Sequence, residues 1–68
     1  MAFDIPLAFH IVLSLYYNQM DSYGWRLIKD FVAEEHAILF FDLPEKICVV
    51  DIQDRNDLTY LTLFLRKK

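Results

Sequence analysis

Two short stretches hold most of the side chains that could do chemistry. Glu34-Glu35-His36 sets two carboxylates beside an imidazole, the inventory of a metal site or a general acid–base pair. Asp51, Gln53, Arg55 and Asp57 alternate oxygen-bearing side chains in the manner of a calcium loop. Spacing counts against both. Neighbours on a helix point about 100° apart, so Glu34, Glu35 and His36 do not converge unaided. The calcium pattern puts an arginine at a ligand position and lacks the required glycine and closing glutamate. Asp54-Arg55-Asn56-Asp57 reads instead as a solvated hairpin turn. No metal and no cofactor is expected. A phosphate-cradling loop needs two or three glycines, and Gly24 is the only one.

Nucleophiles fare little better. Cys48, the only cysteine, alternates with Val50 and Ile52 and reads as a small buried hydrophobe. Neither His10 nor His36 lies at a diagnostic spacing from it. A small hydrolase or nuclease built on His10 or His36 with nearby carboxylates is the alternative function. Phosphodiester chemistry needs cations against the developing charge, and they are few. Arg26, Lys29, Lys46 and Arg55 are scattered along the body and Arg66-Lys67-Lys68 form the tail. The net charge is −3. Duplex binding, which needs clustered phosphate contacts, is not expected.

Sixty-eight residues make one domain, small enough that folding gains from a staple, a metal or a partner. One cysteine forms no internal disulfide, which suits a reducing, cytoplasmic setting. A hydrophobic fraction of 56% and an aromatic fraction of 16% argue against disorder. From Ile5 to Met20 no residue is charged. The run is shorter than the ~20 apolar residues of a membrane span, and Asp4 stands where a leader would be basic. Neither span nor leader is expected.

Within that run Leu7, Phe9, Ile11, Leu13, Leu15 and Tyr17 alternate with Ala8, His10, Val12, Ser14, Tyr16 and Asn18, a period of two that predicts a strand after Pro6. The helical reading of the same run places Asp4 as N-cap and Pro6 in the first turn. Gly24 marks a turn. In residues 25–36 the spacing of Trp25, Ile28, Phe31 and Val32 predicts an amphipathic helix. AILFFDL (37–43), ICVVDI (47–52) and LTYLTLFLRK (58–67) read as strands, with a turn at Pro44-Glu45-Lys46 and a polar hairpin loop over Gln53–Asp57. The fold class is therefore α+β. The order is β-α-β-β-β, one amphipathic helix on one face of a four-stranded, mostly antiparallel sheet, with α-α-β-β-β as the alternative. Trp25, Ile28, Phe31, Val32, Phe40, Val50 and Leu63 are the expected core.

One short helix covers one sheet face only, and the other is too apolar to meet water alone. The expected function follows from that surplus. It is a non-enzymatic, acidic protein-interaction module, a small regulator, inhibitor or antitoxin-like factor, pairing with itself and docking on another protein. His10, Val12, Tyr16 and Tyr60 are the expected interface, with Asp54 and Asp57 as its charged rim. A flat ligand stacked on aromatics between subunits is a third reading.

Overall fold

The computed structural model describes residues 1–56 and 58–68; Asp57 lies outside the described residues. The chain runs through β1 (Ala2–Ile5), α1 (Phe9–Ser22), β2 (Arg26–Val32), β3 (His36–Leu43), β4 (Lys46–Arg55) and β5 (Leu58–Lys67). The strands form one antiparallel sheet in the order β1-β5-β4-β3-β2, and the helix packs on one of its faces. The α+β class and the single helix on an antiparallel sheet hold. The sheet has five strands rather than four, and the N-terminal segments exchange roles. Residues 9–22, expected as a strand, are the helix; residues 26–32, expected within the helix, are a strand.

The helix rests on a stripe that the alternating pattern hides. Phe9, Val12, Leu13, Tyr16, Tyr17 and Met20 recur at three- and four-residue spacing and turn toward the sheet, with Val12 at 1% exposure. His10, Ser14, Asn18, Gln19, Asp21 and Ser22 face out. Ile11 and Leu15 also face out, and those two apolar surface residues create the false period of two. Asp4 is not the cap: it lies in β1, and the N-cap position is Ala8, with no side-chain hydrogen bond.

The stop is well defined. Gly24 takes φ +83°, its N–H donates to the Asp21 carbonyl at 3.0 Å, and the Trp25 N–H donates to the Met20 carbonyl at 2.9 Å. This is the Schellman closure of a helix, satisfying carbonyls that would otherwise be orphaned. Nothing lies within 4 Å of where a Gly24 Cβ would stand, so a substitution there acts through the backbone alone. Gly24→Ala is expected to cost about 1–2 kcal/mol, the penalty of a Cβ in left-handed geometry, with circular dichroism otherwise unchanged at low denaturant. A midpoint equal to wild type would show that the helix end is not held this way.

Residues 26–32 are drawn into the sheet by what β3 requires. Ala37, Leu39 and Phe41 of β3 are buried, so β3 is a central strand whose backbone groups need a neighbour on each side. One neighbour is β4; β2 supplies the other through a tight turn closed by the Ala33 N–H donating to the His36 carbonyl at 2.8 Å. A bulge between Leu27 and Lys29 mimics helical spacing. It gives Ile28 an extra position and moves Lys29 and Phe31 to the face opposite the helix.

The core is one layer between helix and sheet: Val12, Ala37, Leu39, Phe41, Cys48, Val50, Ile52 and Leu61. Of the expected core, Val50 is fully inside, and Trp25 and Leu63 are half-buried against it. Ile28, Phe31 and Val32 are exposed at 51, 53 and 53%, because they sit on the edge strand. Phe40 points away from the helix, one residue out of step with Leu39 and Phe41. Thr59 is buried, and its Oγ1 donates to the Leu7 carbonyl at 2.6 Å, tying the β1–α1 link to β5. The polar hairpin loop is shorter than expected: β4 continues to Arg55, and Asn56 takes the left-handed φ of 62° that asparagine tolerates well.

Candidate functional site: the uncovered sheet face

Strand register builds the face opposite the helix row by row. Lys29, Phe40, Val49 and Phe64 lie across β2, β3, β4 and β5; beside them run Phe31, Ile38, Asp51 and Thr62. On the other side run Arg26, Asp42, Ile47 and Arg66. The result is a diagonal apolar band, Phe31–Ile38–Phe40–Val49–Ile47–Phe64. The Phe31 and Phe40 rings meet edge to face at 6.4 Å, a favourable quadrupole arrangement. Phe64, on the far side of the band, is 54% exposed.

The same register gathers cations that the sequence scatters. Arg26, Lys29, Arg55, Arg66 and Lys68 belong to this face, against Asp4, Asp42 and Asp51. Among the described residues, Asp21, Asp30 and Asp54 lie on the helix side, and Glu34, Glu35 and Glu45 lie at the β2–β3 and β3–β4 turns. Lys29 Nζ stands 4.9 Å from the centroid of Phe31 and the Arg55 guanidinium 4.1 Å from that of Tyr60, both within cation–π range. The basic tail is held in the sheet: Lys67 ends β5, and the Lys68 N–H donates to the Glu45 carbonyl at 2.9 Å.

Asp42 anchors the basic end. Arg26 grips it through two nitrogens, Nε to Oδ1 at 3.1 Å and a terminal nitrogen to Oδ2 at 3.0 Å, and Lys68 Nζ donates to Oδ2 at 3.1 Å. The Arg26 hydrogen bonds first, then that of Lys68, hold the carboxyl below the usual range. A depressed carboxyl stabilises the fold above its unfolded pKa of about 3.9, and that contribution disappears as pH falls through the lower folded value. Acid titration of Asp42→Asn is therefore expected to show a flatter loss of stability below about pH 4 than wild type. The difference should shrink in high salt, since the Arg26 side chain is 77% exposed and such pairs are screened. Parallel acid curves would mean that the ion pairs contribute nothing.

His36 meets a carboxylate, but not at the helix end expected for it. It begins β3, and its Nε2 lies 2.7 Å from Asp51 Oδ1, while Glu34 and Glu35 form the β2–β3 turn. A histidine held by a carboxylate is the arrangement a general base would need. The nearest hydroxyls on that face by register are Thr62 and Tyr60 on β5. Among the described residues, the His36 ring bonds Asp51 and neither hydroxyl is hydrogen-bonded to it. The thiol of Cys48 is buried on the helix side, and burial pushes its pKa up, the opposite of nucleophile activation. His10 is exposed on the outer surface of α1. Among the described residues, no three His, Cys, Asp or Glu side chains group to hold a metal.

The expected interface residues scatter. Tyr60 lies on the uncovered face; His10 lies on the opposite side of the molecule; Asp54, exposed, is the penultimate residue of β4, on the helix side. Val12 is buried and presents no surface, and Tyr16 is half-buried against the core, its hydroxyl pKa raised by that burial. Tyr17, beside it, donates to Asp30 Oδ2 at 2.6 Å; burial, then the Asp30 bond, pushes its pKa up to about 12. Ile38, Ile47 and Val49, half-buried on the uncovered face, were missed as part of it. Their signal was present: 37–43 and 47–52 are apolar on both faces, and a single helix covers one.

These features define a class, a small α+β domain with one helix on an antiparallel sheet and an aromatic, cation-rimmed open face. Among the described residues no helix is long and apolar enough to cross a membrane. No protein-family model matches the chain, no curated protein is detectably similar in sequence, and no solved structure is detectably similar in fold.

Proposed function

We propose that the chain is a non-enzymatic docking module, a small regulator, inhibitor or antitoxin-like factor that associates with itself and seats another protein on its open sheet face. The observation that carries this reading is the contiguous apolar band from Phe31 to Phe64 on a face the helix does not cover. Bands of this kind mark interaction sites, and aromatic residues with arginine at their edge are the usual composition of a protein interface. The cations around the band favour a partner that presents apolar side chains within an acidic rim. The unpaired thiol of Cys48 suits work in a reducing compartment such as the cytoplasm.

The test is comparative capture from the native source. Wild type and a His10→Ala bait, altered on the far side, should retain one partner at equal yield, and a Phe64→Glu bait should lose it. Equal retention by all three would sink the reading. The His36–Asp51 pair favours a second reading, hydrolysis; it requires that His36→Gln abolish biological activity while capture of the partner persists.

A further inference from the structure

The sheet has two edges, and they differ. β1 pairs over Ala2–Ile5 and Pro6 follows it at once, whereas every residue of β2 is exposed. Long free edges usually carry proline, several lysines or a covering loop. β2 has one lysine and one bulge, and it displays Ile28, Phe31 and Val32.

Its backbone groups can be assigned. The Ala33 N–H donates to the His36 carbonyl on β3, so Ala33 turns its polar groups inward. In an antiparallel ladder the direction alternates. Phe31 therefore also faces β3, and the N–H and C=O of Asp30 and Val32 point outward with no strand beyond them. A second copy of β2 would satisfy them across a two-fold axis perpendicular to the sheet, which keeps equivalent faces aligned.

Charge then selects the register. An axis through Lys29 opposes two ammonium groups, and one through Asp30 opposes two carboxylates. An axis through Val32 sets Asp30 against the partner's Glu34. Like charges directly opposed are unfavourable. An axis through Phe31 avoids all three. It pairs Asp30 with the partner's Val32, which exchange both backbone hydrogen bonds, and sets Lys29 beside the partner's Ala33, next to Glu34. The two Phe31 rings meet in the closely spaced, non-hydrogen-bonded position.

We propose that the chain forms an isologous dimer through β2, with Phe31 at the two-fold axis, joining two open faces into one continuous docking surface. The inference deepens the self-association part of the function proposed above and rests on it.

Light scattering across a dilution series, combined with a cysteine scan under mild oxidation, tests it. Cys48 is buried and serves as a silent background. Facing Cα atoms at that position stand about 4.5 Å apart, inside the disulfide range of ~4.4–6.8 Å. Phe31→Cys should therefore cross-link into a covalent dimer, and Lys29→Cys, Asp30→Cys and Val32→Cys should not. Val32→Pro removes an outward N–H that the β2–β3 ladder does not use, so it should give a folded monomer. A dimer that cross-links best through Lys29→Cys or Asp30→Cys, or that survives Val32→Pro, overturns the seam and leaves self-association standing. A wild-type monomer at every concentration overturns both. Loss of docking in Phe64→Glu with the dimer intact would show that seam and docking face are separate.

Discussion

Phe41→Ala is expected to leave much of the chain unfolded at room temperature. Phe41 is 1% exposed in the middle of β3, paired with Leu27 on β2 and Cys48 on β4, and its ring points toward the helix. Truncating a buried phenylalanine costs about 3–5 kcal/mol, from lost transfer energy and the cavity left behind. A domain of this length has a total stability of roughly 3–10 kcal/mol. The loss is thus comparable with everything the fold has, and no disulfide compensates. The informative control is the adjacent residue. Phe40→Ala removes the same side chain from the opposite face, where the ring is half-buried and packs edge to face on Phe31. It should cost far less, with the aromatic pair itself contributing ~0.5–1.5 kcal/mol. Urea midpoints of the two variants read out which face of β3 is the inside. Similar midpoints would mean that the helix does not cover the face described here. The series should be run at fixed protein concentration, because self-association raises apparent stability by mass action.

Phe64→Glu is expected to do the reverse, abolishing docking while sparing the fold. Phe64 is more than half exposed and sits across from Val49 at the end of the apolar band. β1 pairs with β5 only as far as Thr62, so no β1 side chain opposes it. Losing an aromatic anchor from an interface costs about 2 kcal/mol or more where it is a hot spot, about thirtyfold in affinity. The introduced carboxylate adds repulsion against a partner chosen for its acidic rim. Calorimetric titration against the captured partner should show a loss of at least about thirtyfold, with a thermal midpoint close to wild type. A variant that binds normally would remove the open face from the interface; one that unfolds would show that Phe64 serves the core.

The regularities legible in the residues were those that need no neighbour. Residues 37–43, 47–52 and 58–67 read correctly as strands because β-branched and aromatic side chains alternate between turn residues. Pro44-Glu45 marks the β3–β4 turn for the same local reason. Cys48 beside Val50 and Ile52 was recognisable as core. The apolar band was half legible: a one-helix chain this apolar leaves an uncovered greasy face, and Tyr60 lies on that face. The remainder was misplaced. A strand would send Val12 and Tyr16 outward with the other even-numbered residues, and the helix turns both in. Phe31 and Phe40 were assigned inward because helical spacing and bulk imitate a core.

Composition and local alternation by themselves determined the α+β class, the three C-terminal strands and a surplus of apolar surface. Which N-terminal segment coils, and therefore which side chains line the open face, was decided only in three dimensions. Residues 9–22 satisfy both a period of two and a stripe at three and four, and residues 26–32 can be either an amphipathic turn or a bulged strand. Neither segment chooses alone. The buried strand β3 needs a partner for its backbone on the side away from β4, and its apolar face needs a roof. A strand at 26–32 with a helix at 9–22 meets both demands.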